Sequence, residues 1–197
     1  MKRLFVDTSN QYLYICVLED SNKLFEHIQI GNNNHSETLM DKIEELFKKN
    51  NITINDIDEI FVGRGPGSYT GVRVACTICK VLAYTLHKPL YSFSSLDLLY
   101  TINLNPGITL VKMDARRGFS YAKVFEYDKE IKVLMEDSYI ETEKLLNYYS
   151  TSFIINTEDA FVNKSCKYNI LDILKFKLYR KEDDVHNFSP TYLRSGV

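Results

Sequence analysis

The stretch Gly63-Arg64-Gly65-Pro66-Gly67-Ser68-Tyr69-Thr70-Gly71 constrains this chain more than any other. It holds four of the eight glycines in the sequence. Ile57 to Val62, rich in β-branched and aromatic residues, reads as a strand leading in. Val72 to Leu86, almost wholly apolar, reads as a helix leading out. A glycine-rich turn between strand and helix leaves backbone N–H groups at the positive helix end, a geometry suited to an anion. Gly65, Gly67 and Ser68 are the candidates for that contact. Pro66-Gly67 suits the centre of a type II turn, and Ser68 or Thr70 suits a helix cap. The nucleotide signatures fail, however. No Gly-Lys-Ser/Thr follows, and Thr70 stands where the third glycine of G-x-G-x-x-G belongs. The stretch therefore reads first as a turn that sets the angle of the next helix, with anion binding secondary.

On that helix Gly71, Ala75, Cys79 and Ala83 recur every fourth residue, a small-residue ridge that admits a second backbone. Cys76 and Cys79 share its apolar face and read as a buried, reduced pair, because no second pair completes a zinc set. The helix carries Arg73 and Lys80 and is no membrane span. The first apolar run is cut at Asp7, so no signal peptide is expected. A net charge of −2 argues against a freestanding nucleic-acid binder. Cytoplasmic localisation is the expectation.

In order along the chain, Leu4 to Val6 ends at Asp7, Tyr12 to Leu18 returns as a hairpin, and Leu24 to Ile30 adds a third strand. Asn34 with Glu37 suggests a capping box, and Leu39, Ile43, Leu46 and Phe47 then follow at helical spacing. Leu90 to Phe93 makes a fifth strand after Pro89, and Leu96 to Ile102 a short helix. The expectation is an α/β fold with mixed sheets and helices on their faces. Asn105-Pro106-Gly107 marks a boundary between residues 1–105 and a smaller 106–197 unit. Beyond it the opening repeats: Ile108 to Met113 ends at Asp114, and a new strand starts at Phe119, as Tyr12 follows Asp7. Tyr14 then aligns with Tyr121, Val17 with Val124 and Leu18 with Phe125. This reads as two lobes of related design facing each other across a cleft, each tipped by an aspartate; chance similarity of two hairpins is the alternative. A strand near Ile131 to Leu134, a helix near Thr142 to Tyr149, a strand at Phe153 to Ile155 and a helical Asn169 to Tyr179 complete the second lobe. Tyr192 and Leu193 are expected to dock the tail.

Asp7 and Asp114 would suit magnesium-assisted phosphotransfer. Yet Asp7-Thr8-Ser9-Asn10 has no glycine, and none occurs from Phe119 to Ser195. The expectation is that neither a nucleotide nor a metal site survives in this chain. Arg116 and Arg117 suit either a phosphate clamp or a solvated turn.

Val6-Asp7-Thr8, His35-Ser36-Glu37 with Leu39, Gly63 through Val74, Met113-Asp-Ala-Arg-Arg-Gly118 and Pro190-Thr-Tyr-Leu-Arg194 occur here in the order known from one family. The chain resembles TsaB, also called YeaZ, nearly end to end. The resemblance implies an actin-like ATPase (ASKHA) fold of two ribonuclease-H-like lobes, the second reduced. It implies a non-catalytic part in making threonylcarbamoyladenosine beside the tRNA anticodon, through binding the transferase TsaD and recruiting the ATPase TsaE. ATP and metal are then expected on the partner subunits, tRNA contact through the complex, and a homodimer when the chain is alone. TsaD-like proteins carry His-x-x-x-His after the fifth strand; Ser95 and Leu99 stand at the matching places. The resemblance places the partner contact on the helices after His35 and Gly71. His35, Leu39, Ile43, Gly71, Val72, Ala75, Cys79 and Ala83 are the candidates, with burial inside the same lobe as the alternative.

Overall fold

The computed structural model describes residues 1–31, 35–150 and 152–194, the side chains of residues 35–37 excepted. The capping box expected at Asn34 and Glu37 and the His35 side chain lie outside the described residues. A six-stranded sheet is built from β1 (Lys2–Asp7), β2 (Tyr12–Glu19), β3 (Asn22–Ile30), β4 (Glu59–Gly63), β5 (Leu90–Phe93) and β12 (Arg180–Lys181). Its spatial order is β12-β5-β4-β1-β2-β3. The first three strands are antiparallel, whereas β1, β4 and β5 run parallel, joined through α1 (His35–Lys49) and α2 (Tyr69–Thr85). Parallel neighbours need such crossovers, which explains why the two long helices fall where they do.

Strand β2 is buried on both faces, and its alternation sorts two cores. Leu13, Ile15 and Val17 pack with Leu39, Ile43 and Phe47 of α1 and Val72, Ala75 and Cys79 of α2. Tyr12, Tyr14, Cys16 and Leu18 face the other way, toward α3 (Ser95–Tyr100) and a second sheet. That sheet has four strands, in the order β8 (Ile131–Glu141), β7 (Phe119–Tyr127), β6 (Gly107–Asp114) and β9 (Phe153–Asn156). The Tyr100 and Phe125 rings stack 4.0 Å apart, joining α3 to β7. A smaller core under α4 (Thr142–Tyr148) contains Leu110, Ala122, Val124 and Leu145.

The second sheet differs from expectation in detail. β8 runs seven residues past the expected Leu134, to Glu141. The short hairpin of β10 (Phe161–Val162) and β11 (Ser165–Cys166) carries no alternation long enough to read. The helix expected through Tyr179 stops earlier, as α5 (Ile170–Lys175), and β12 then pairs antiparallel with β5 of the first sheet. The last stretch of chain thus returns to the six-stranded sheet. Its anchor is Phe188, 7% exposed in the first core; Tyr192, expected to dock, is 51% exposed. No helix among the described residues is long and apolar enough to cross a membrane.

Candidate functional site

Asp7 ends β1 with 2% of its surface exposed. Its Oδ1 accepts the Ser9 N–H at 2.9 Å and the Ser9 hydroxyl at 2.7 Å, while Oδ2 accepts the Ser95 hydroxyl at 2.6 Å. A carboxylate so surrounded by donors has its charge stabilised from inside the protein. Ser95 is one of the two positions where the resemblance puts imidazoles. The other, Leu99, is fully buried in the apolar core between the sheets. Among the described residues, no three His, Cys, Asp or Glu side chains converge as a metal centre.

Asp114 does not face Asp7 across a cleft. Asp7 pairs with Tyr14, but Asp114 pairs with Ser120, one residue before the Tyr121 that the sequence repeat aligns with Tyr14. Because strand side chains alternate, this one-residue offset turns the aspartate over. Asp7 shares the inter-sheet face of Phe5, whereas Asp114 shares the face of Leu110 and is exposed. Its Oδ1 accepts the Arg116 N–H at 2.9 Å and shapes the turn. Arg116, Arg117 and Gly118 all have positive φ there, with both arginines exposed.

The glycine-rich stretch is sewn to its surroundings by its own backbone. Arg64 donates to Phe93 O at 3.0 Å and accepts from Thr191 N at 2.8 Å; Gly65 O accepts from Ser95 N at 2.9 Å; Ser68 N donates to Ser9 O at 2.6 Å. These bonds run outward, so the expected type II turn about Pro66-Gly67 is replaced by bends. Ser68 does cap α2, accepting from Gly71 N at 3.3 Å. With the Ser68 N–H engaged by Ser9 O, the cradle expected from Gly65, Gly67 and Ser68 has lost one of its donors. The glycines serve close approach instead. A Cβ on Gly67 would meet Ser9 O at 2.1 Å, and one on Gly71 would meet Thr8 O at 2.0 Å. Thr8 also donates its hydroxyl to Gly71 O at 2.6 Å.

The small-residue ridge of α2 therefore turns inward. Gly71, Val72, Ala75, Cys79 and Ala83 lie in the first core, as do Leu39 and Ile43 of α1. These side chains are spent inside their own lobe, and Gly71 seats the start of α2 against the β1–β2 turn. Burial also raises the Cys76 thiol to about 12, aided by nearby Asp7, and holds Cys79 well above its ordinary value, so neither is a thiolate. The outward face of α2 carries Arg73, Thr77, Val81 and Tyr84, with Val81 52% and Tyr84 62% exposed. Met40 is exposed on the neighbouring α1. Helical spacing of four and three puts these α2 residues on one stripe.

Two further features escaped the sequence. Lys123, 6% exposed within apolar β7, pairs its Nζ with Asp97 Oδ1 of α3 at 2.8 Å. Asp137 lies 3.5 Å from the same Nζ and accepts the Ser94 hydroxyl at 2.9 Å. Burial raises the Asp97 carboxyl to about 6 although Lys123 opposes it. Burial alone would lower Lys123, but Asp97 and Asp137 outweigh it and raise the ammonium. A lone lysine between Ala122 and Val124 was the available signal, since such a charge needs a buried partner. The other feature is a cleft of about 350 Å³ between α2 and the tail, lined by Tyr69, Arg73, Lys80, Phe188 and Tyr192 among others. It depends on a fold-back that no local pattern announces.

Comparison with known proteins identifies this arrangement. Residues 29–181 match the family profile described as TsaD, tRNA N6-adenosine threonylcarbamoyltransferase. The tRNA threonylcarbamoyladenosine biosynthesis protein TsaB of Bacillus subtilis is 36% identical over 128 residues, covering 64% of this chain and 56% of that protein. The match thus spans little more than half of that relative's length. TsaB of Buchnera aphidicola is 25% identical over 214 residues, 96% of each chain. Among solved structures, a Pseudomonas aeruginosa protein described as uncharacterized with similarity to peptidase YeaZ superposes with a TM-score of 0.75 at 19% identity, covering 98% of this chain and 99% of that one. YeaZ from Pseudomonas aeruginosa superposes with a TM-score of 0.64 at 23% identity, over 71% of this chain and 67% of its own. The fold is the actin-like, ribonuclease-H-like one that these neighbours share. The chain belongs to the TsaD family, and the named relatives it resembles are proteins called TsaB or YeaZ.

Proposed function

We propose that this chain is a non-catalytic scaffolding subunit of threonylcarbamoyladenosine biosynthesis, binding a TsaD homologue and helping to recruit a TsaE homologue. The observation that carries the reading is the outward stripe of α2 beside α1, where Val81, Tyr84 and Met40 expose apolar surface on two packed helices. Exposed apolar residues on packed helices of this kind suit association. The partner contact is thus moved from the inner ridge to the opposite side of the same helices. ATP and metal act on the partner subunits, tRNA is met through the complex, the same face pairs two copies when the partner is absent, and the setting is the cytoplasm.

The second reading, an actin-fold ATPase or kinase using Asp7 and Asp114, is disfavoured because the two carboxylates lie on opposite faces of their sheets and Asp7 is enclosed by Ser9 and Ser95. The deciding experiment is reconstitution of the modification with the TsaD and TsaE homologues and the enzyme that supplies the threonylcarbamoyl donor, with and without this chain. Modified tRNA should form only when it is present. Full activity without it would overturn the reading, and micromolar binding of Mg-ATP by the isolated chain would revive the alternative.

A further inference from the structure

The cleft between α2 and the tail has a chemistry that the apolar stripe does not explain. Its lining comprises two cationic side chains, Arg73 and Lys80, two tyrosines, Tyr69 and Tyr192, further polar and apolar groups, and no carboxylate. Neither cation forms an ion pair with a described residue. Arg73 donates to the Tyr69 hydroxyl at 2.5 Å, with its guanidinium 5.1 Å from that ring, and Lys80 donates to Phe188 O at 3.2 Å. Both are therefore held in place by neutral acceptors while their charge remains uncompensated. The Tyr69 and Tyr192 ring centroids lie 5.3 Å apart, so α2 and the tail meet ring to ring at the cleft. Phe188, 7% exposed, closes its floor and fixes the tail that makes the other wall.

We infer that this cleft receives an acidic side chain, Asp or Glu, from the docking segment of the partner protein. The inference rests on the proposed binding of a TsaD homologue. Three features support it. A volume of about 350 Å³ suits one or two side chains. Two fixed cations without an acidic neighbour complement a carboxylate, with Arg73 supplying a planar fork that can hold both of its oxygens. Arg73 also lies one helical turn before Thr77 and two before Val81 on α2, so the cleft is continuous with the apolar stripe. The stripe would supply contact area and the cleft the orientation, since charge complementarity sets register more than affinity.

The test is surface plasmon resonance of the full chain against its TsaD homologue over a range of sodium chloride concentrations, with melting curves to verify folding. Arg73→Glu and Lys80→Glu should each weaken binding at least tenfold, flatten its salt dependence and leave the melting curve unchanged; Val81→Asp should weaken binding but keep the wild-type salt dependence. If Val81→Asp abolishes binding while both charge reversals stay within twofold of wild type, the acidic anchor is wrong and the scaffold reading survives. If the unaltered chain does not bind its folded TsaD homologue, both fall.

Discussion

Asp7 and Gly63 occupy adjoining strands so closely that a Cβ on Gly63 would lie 1.8 Å from Asp7 Oδ2. The parallel pairing of β1 with β4 brings them together, and the Ser95 hydroxyl holds Oδ2 in that place. Gly63→Ala must therefore displace a buried, hydrogen-bonded carboxylate. We expect a loss of about 2–3 kcal/mol, at the upper end for overpacking, read as a lowered urea midpoint with unchanged slope. An alanine variant as stable as the parent would show that Asp7 is free to move.

The Lys123 pair predicts a pH signature. Replacing Lys123 by Met leaves Asp97 charged and buried, a change that costs about 3–5 kcal/mol at pH 8. The folded Asp97 carboxyl is raised to about 6 from an ordinary 3.8. The folded protein thus binds more protons between those values, and Asp97's contribution to stability falls as pH rises through that window. Without Lys123 the carboxyl rises further. The deficit of Lys123→Met should therefore shrink when the pH is lowered from 8 to 5. A deficit constant across that range in denaturant titrations would refute the assignment.

The two faces of α2 separate folding from association. Cys79→Arg places a charge in the first core, where Cys79 has no exposure, and should unfold the isolated chain. Val81→Asp, on the exposed stripe, should change stability by less than about 0.5 kcal/mol and still abolish co-purification with the TsaD homologue. The comparison uses melting curves and pull-down on the same samples. The reverse pattern would put the partner on the inner ridge.

Tail docking depends on Phe188 rather than on Tyr192. Phe188→Ala should destabilise the chain by about 3 kcal/mol and expose the tail to limited proteolysis. Tyr192→Ala, at a half-exposed position, should cost less than about 1 kcal/mol and leave the cleavage pattern unchanged. Equal proteolysis of the two variants would contradict this division.

Local pattern revealed the elements and much of the order. The unbroken apolar run of β2, the apolar helix pattern of α2 and Pro89 before β5 each describe one segment, and each matches the fold. The family was equally legible, because Gly63 through Gly71 is a dense set of backbone requirements. Expectation failed where two distant segments had to be combined. Small residues on α2 announce a close approach without naming what approaches, and at Gly71 it is the backbone of Thr8. Asp7 and Asp114 end similar hairpins, yet a single residue of register, set by pairing with β2 and β7, places them on opposite faces. Ser95 as the donor to Asp7, Lys123 as the partner of Asp97 and Phe188 as the tail anchor arise from contacts between residues far apart in sequence.

Which stretches become strand, turn and helix was written into short runs of residues, and with them the kind of protein this is, because backbone preference and burial periodicity act over a few neighbouring residues. Which helix face is free, where the carboxylates point and what surrounds the tail were set by the packing of distant segments. Those are properties of space between segments, and one residue of strand register or a quarter turn of a helix is enough to exchange a buried side chain for an exposed one.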